Sequence, residues 1–270
     1  MSAPDLRGAT RALPTLLRVG FAGIVAYRSE MVVWILTTNM PLVMLALLRA
    51  VAADGPIGGF DAARFTAYYF ATLVVRLLTQ TWVVWELAFE IRQGTLAGKL
   101  LRPLSPLLPY ATDNLAALPI RGAFVLPLAI VGVLWAGPAR FAHDPLLWLA
   151  FPIALGAALT VSFLAMVAIA TLSLRWESSL SLHDLWVASY FVFSGYLLPL
   201  ELFPARVLAI VRWLPFRYLL SFPVEIALGA LSRREVLVGL AAQAGWVLAT
   251  ALLAWAIWRD GLRHFAAYGG

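Results

Sequence analysis

A chain of 270 residues that is 62% hydrophobic and only 13% charged carries more apolar surface than a water-soluble globule of its size can bury, so lipid is its natural solvent. It has no cysteine, which excludes disulfides, thiolate nucleophiles and cysteine-held zinc. The formal charge of +6 comes from scattered basic residues, almost all arginine, with no basic and aromatic soluble face of the kind that nucleic acid requires.

The first ten residues hold a proline and two charges and do not read as a cleavable signal. Residues 10–28 are too polar to span. Leu13, Leu16, Leu17 and Ile24 gather on one side of a helical wheel, and Arg11 and Arg18 on the other. That pattern predicts a helix in the membrane interface with its cations toward headgroups. The first span is expected over 31–48, with Pro41 inside it, and the second over 65–85. A polar stretch at 86–106 follows. The third span is expected over 115–136, with Pro119 near its start and Pro127 within. The fourth is expected over 146–174 and the fifth, a short one, over 185–200. Residues 204–231 are apolar but broken by Arg206, Arg212, Arg217, Glu225, Pro215 and Pro223. They read as two short helices that dip into the membrane edge. The last span is expected over 236–258. The predicted fold is all-α: one polytopic domain over 1–270, with six spans and an N-terminal interfacial helix. Basic residues favour the N-terminal segment, the 86–106 loop and the tail once 204–231 is set aside, which puts both termini in the cytoplasm.

The polar stretch contains "GTLAGK". A phosphate-binding loop needs four residues between its glycines and a hydroxyl after the lysine. Here Gly94 and Gly98 enclose three, and Leu100 follows Lys99. The stretch reads better as a short amphipathic helix. Glu86 and Glu90 lie one turn apart, Arg92, Lys99 and Arg102 follow, and Leu96, Leu100 and Leu101 repeat at near-helical spacing. A helix this short rests on something, either a partner protein or its own bundle and the headgroups.

Arg76 lies within the second span, and Gln80 follows one turn later. A cation at membrane depth costs about 2.5–3.5 kcal/mol on insertion scales, so Arg76 is expected to face the interior, on a transport pathway or in an ion pair with another helix. Arg121 is expected to reach a membrane edge. A membrane-embedded enzyme finds little support. His143–Asp144 and His183–Asp184 are sequence neighbours that do not face each other on a helix, and neither a G-x-S-x-G elbow nor an H-E-x-x-H pair is present. A stand-alone channel or secondary transporter would require more intramembrane carboxylates.

"EIRQGTLAGKLLRPLSPLLPY", at 90–110, resembles the first cytoplasmic loop of ABC type-2 permeases in the branch with an E-I-R-x-G…L-x-x-L-L-x-P signature. "LPFRYLLSFPVEIALG", at 214–229, is similar to that branch's second signature, before the last span. The resemblance covers nearly the whole chain. It implies the permease subunit of an exporter in the plasma (cell inner) membrane, not itself an enzyme. ATP and magnesium would be held by a separate ATP-binding cassette subunit present in two copies. A second permease chain, identical or paralogous, would complete the pathway. By match, Glu90, Arg92, Gly94, Leu100, Arg102 and Pro103 fall in the loop that couples to the ATPase, and Glu86, Leu96 and Lys99 of the same amphipathic stretch are expected to couple with them. Pro215, Arg217, Pro223, Glu225 and Gly229 fall in re-entrant helices on the extracytoplasmic side.

Overall fold

The computed structural model describes residues 6–26, 39–176 and 179–264. Among them the secondary structure is helical, apart from one isolated bridge between Ile57 and Phe60. In chain order the α-helices are α1 (Leu6–Ala26), α2 (Met40–Val51), α3 (Ala62–Thr79), α4 (Val83–Arg92), α5 (Leu96–Leu100), α6 (Leu108–Ala116), α7 (Leu118–Ala136), α8 (Pro145–Thr171), α9 (Ser179–Phe193), α10 (Ala205–Val211), α11 (Pro215–Leu219), α12 (Ser221–Ala227) and α13 (Arg233–His264). The protein is an all-α polytopic membrane protein.

Three stretches of the described residues are long and apolar enough to cross a bilayer: Leu108–Ala136, Pro145–Leu174 and Arg233–Arg263. α2 is a shorter apolar helix. The stretch 31–48 lies partly outside the described residues, and Pro41 sits in the first turn of α2, where its missing N–H costs nothing. α3 is the hub. Phe65 through Leu73 are all buried, because α2, α7, α8 and α12 pack around it. A helix surrounded in this way is buried on several sides, and its few polar side chains, such as Thr66 and Thr79, are buried with it. Gly132 lets α7 approach closely, since a Cβ there would lie 2.6 Å from the Cβ of Phe70. α13 runs along α8.

Several boundaries differ from the sequence reading. The 65–85 stretch is not one helix. α3 stops at Thr79, Gln80 turns to extended backbone with ψ near 150°, and α4 starts at Val83. Arg121 meets the chain at this break. It is 2% exposed, so it does not extend into solvent, and it donates from Nη1 to the Gln80 carbonyl at 2.7 Å. A cation at the C-terminal end of α3 complements the helix dipole and takes a carbonyl that the helix leaves unpaired. The fifth stretch is helical over Ser179–Phe193 and then unwinds. The segment before α13 holds three short helices, α10 to α12, rather than two. α1 rests on α6, and a Cβ on Gly20 would lie 2.5 Å from Asp113 Oδ1.

Candidate functional site

The 86–106 loop is a folded unit. α4 buries Val83, Val84, Leu87, Ala88 and Ile91, a helical stripe that packs on Ala165, Met166, Val167 and Ala170 of α8. Gly94 ends α4 with φ +71°, a left-handed conformation that glycine adopts without strain. α5 then folds back. Leu96 is fully buried. Lys99 Nζ donates to Glu90 Oε1 at 2.6 Å and to the Tyr110 hydroxyl at 3.2 Å. Leu96 and Lys99 therefore face the bundle and hold the shape of the loop. Glu86, Arg92, Leu101, Arg102 and Pro103 face outward, and Leu101 is 88% exposed. Leu100 is half-buried. The outward surface joins two cations, a carboxylate and an uncovered leucine on a rigid base.

The 214–229 segment is organised by a buried ion pair. Arg217 Nη2 donates to Glu225 Oε2 at 2.7 Å, and Ser221 Oγ donates to Oε1 at 3.1 Å. The two charged side chains are 17% and 11% exposed. Pro215 opens α11, and Pro223 lies in the first turn of α12. Gly229, at φ +64°, lies so close to Ala142 that a Cβ would come within 3.0 Å of its Cα. The Ala142 amide donates to the Ala227 carbonyl at 2.9 Å, and this clasps the segment to the turn before α8. Gln243 of α13, fully buried, donates at 2.9 Å to both Ala154 and Tyr218 carbonyls. A cavity of about 740 Å³ beside the pair is lined by Glu201, Arg212, Arg217, Glu225, Arg234 and Glu235, among others.

Arg76 has no carboxylate partner among the described residues. Its guanidinium carbon lies 5.0 Å from the Tyr190 ring and 5.8 Å from the Tyr196 ring. These are cation–π contacts; of the two expectations for Arg76, a pathway position or an ion pair with another helix, no ion pair forms among the described residues. No hydrogen bond joins the Arg76 and Gln80 side chains. Gln80 donates its amide to the Arg76 carbonyl at 3.1 Å and serves as the end of α3.

Residues 33–269 match the family described as ABC-2 family transporter protein. The chain belongs to that family. No curated protein and no solved structure matches it.

This ABC-2 protein is thus the membrane component of a transporter. Three of its buried polar side chains escape a search of the sequence by motif: Arg121, Gln243 and Tyr68. Arg121 and Gln243 each leave one signal, a lone polar side chain within an apolar run, and Tyr68 leaves a hydroxyl beside that of Tyr69, but nothing in the run names the partner. Arg121 finds Gln80, Gln243 finds Ala154 and Tyr218, and the Tyr68 hydroxyl donates to the Gly195 carbonyl at 2.7 Å.

Proposed function

We propose that the chain is the permease subunit of an ABC exporter and moves its substrate outward across the plasma membrane. ATP is hydrolysed on a separate ATPase subunit, present in two copies, where ATP and magnesium bind. A second permease chain, identical or paralogous, completes the pathway. In this reading the chain crosses six times with both termini in the cytoplasm, the 86–106 loop docks on the ATPase, and α10 to α12 form the extracytoplasmic re-entrant segment.

One observation carries the coupling role: the loop is locked inward and unpartnered outward. The Lys99–Glu90–Tyr110 cluster and Leu96 make α4 and α5 one body, while Arg92, Leu101 and Arg102 face away from the bundle. A lever must be stiff to transmit force and must present a surface to the part that pushes it. The break at 80–82 supplies a joint, because α4 is not continuous with α3. ATP-driven closure of the ATPase then displaces α4 and α5 against α8 and changes the spacing of the permease bundles. The ATPase shifts that equilibrium only by binding the two states differently.

The test is co-reconstitution with the ATPase. Arg92→Glu with Arg102→Glu is expected to lower ATP-driven transport at least tenfold, with membrane insertion intact. Unchanged transport, labelling of the loop from outside the cell, or ATP hydrolysis by the isolated chain would each refute the reading.

A further inference from the structure

The cavity of about 740 Å³ beside the Arg217–Glu225 pair is lined by α10 with its cap and by the first turns of α13. Its volume lies within the usual range of ligand pockets, about 300–1,000 Å³. Leu208 and Arg212 are four residues apart, as are Arg234 and Val238. Each helix therefore presents one arginine and one aliphatic side chain to the same space.

Three carboxylates also line the cavity, and each is engaged. Glu201 accepts from Arg64 at 2.5 Å, Glu225 from Arg217 at 2.7 Å and Ser221 at 3.1 Å, and Glu235 from the Ser232 amide at 2.8 Å and hydroxyl at 2.7 Å. Arg212 and Arg234 are exposed, and their guanidinium groups make no hydrogen bond or ion pair among the described residues. Glu235 is the one lining carboxylate that bonds to no cation, and Arg212 lies near enough for its charge to act on it. Two unpaired arginines against that one carboxylate leave a surplus of one positive charge. A guanidinium with its donors unused takes phosphate oxygens in pairs.

The apolar side of the cavity points to the source of that phosphate. Val238 lines the cavity yet is 63% exposed, and Leu237 beside it is exposed too. Both belong to a stretch long and apolar enough to cross a bilayer, so the cavity opens sideways onto a surface suited to lipid. On α10, Val207 and Ile210, with Trp213 just beyond, are exposed at three-residue spacing, which suits a segment resting at headgroup depth. We infer that this cavity binds the phosphate head of an amphiphile, with Arg212 and Arg234 on the head and Leu237 and Val238 along its chain. Regarding that molecule as cargo rests on the transport reading above; the binding itself does not. A phosphate without a chain would use the same two arginines and forgo the aliphatic contact.

The experiment is equilibrium binding of radiolabelled dodecyl phosphate to the full chain in dodecyl maltoside free of phospholipid, without ATPase. Saturable binding is expected. Arg212→Gln with Arg234→Gln should weaken it at least tenfold, and each single change severalfold. Arg206→Gln removes an exposed arginine of α10 that does not line the cavity and should leave binding unchanged. Dodecyltrimethylammonium should fail to compete. Inorganic phosphate separates the two sources: displacement only at a large excess supports an amphiphile, and displacement at concentrations similar to those of dodecyl phosphate overturns that choice in favour of free phosphate. Equal binding by wild type and the double variant, an equal loss in Arg206→Gln, or displacement by the cationic amphiphile overturns the site. If the double variant does not assemble, the single variants decide, and unchanged binding in both overturns it. Because the readout needs no ATP, its failure is separate from a failure of ATP-driven transport.

Discussion

Arg217 and Glu225 are eight residues apart and meet because α11 and α12 are separate short helices with a turn at Leu220. Removing one partner of such a buried pair leaves an uncompensated charge and costs about 3–5 kcal/mol, whereas replacing both by apolar residues is often neutral. Glu225→Ala is therefore expected to lower the thermal midpoint in detergent sharply. Arg217→Met with Glu225→Leu should recover most of the loss, and a double variant as unstable as the single one would show that the pair does not act as a unit. The sequence places both residues in an apolar segment but leaves their pairing open, since either charge has other opposite charges within reach along the chain. Arg76 illustrates the same limit. Its place within an apolar run was legible, but its aromatic surroundings, Tyr190 of α9 and Tyr196 just beyond it, come from more than a hundred residues later.

At the level of elements, the apolar runs of the third, fourth and last stretches translate directly into long helices, because an unbroken run in lipid must satisfy its backbone internally. In the second stretch the correspondence fails. The 65–85 stretch is apolar enough to read as continuous, yet Arg121 from α7 takes the Gln80 carbonyl and the helix breaks there. Arg121→Met leaves that carbonyl and the buried end of α3 without their donor. It is expected to cost about 1–3 kcal/mol, and to raise hydrogen exchange at 80–83 well above that of α3. Unchanged exchange would mean that the break is set by local sequence alone. The loop behaves similarly. Its charged and leucine positions suggest an amphipathic helix, but only folding decides that Lys99 turns inward to Glu90 and Tyr110 while Arg92 and Arg102 stay exposed. Lys99→Met is accordingly expected to lower ATP-driven transport by loosening the loop, and to leave the surface charge of Arg92 and Arg102 in place. Transport equal to wild type would remove the clamp from the mechanism.

For the molecule as a whole, one end is laced by ion pairs between turns distant in sequence: Asp61 with Arg140, Arg64 with Glu201 and Asp144 with Arg233. The Asp61 carboxyl is held below its usual range by the Arg64 amide and by Arg140 beside it. Asp144 is held down by the Arg233 side chain and the Leu146 amide. A carboxyl depressed on folding contributes stability that is complete above its ordinary value, about 4, and is lost as pH falls through the lower folded value. The share of the thermal midpoint that Asp61 and Asp144 supply is therefore expected to be intact down to about pH 5 and to be lost below about pH 4, while Glu201, pushed up by burial, contributes in the opposite direction. Asp144→Asn should reduce that acid slope. A midpoint indifferent to acid would show that the ion pairs do not secure this end.

Composition and the length of apolar runs determined, without any structure, that the chain lives in lipid, is all-α and carries one polar loop and one broken segment before its last long helix. These properties follow from local physics, the cost of exposing apolar side chains to water and of leaving backbone groups unpaired in lipid. The break in α3, the inward clamp of Lys99, the Arg217–Glu225 pair and the meeting of Arg76 with Tyr190 were decided only by tertiary structure. Each is a polar group whose partner lies on another helix or across a turn, and in an apolar interior such a group takes whichever partner the packing of the helices brings within reach.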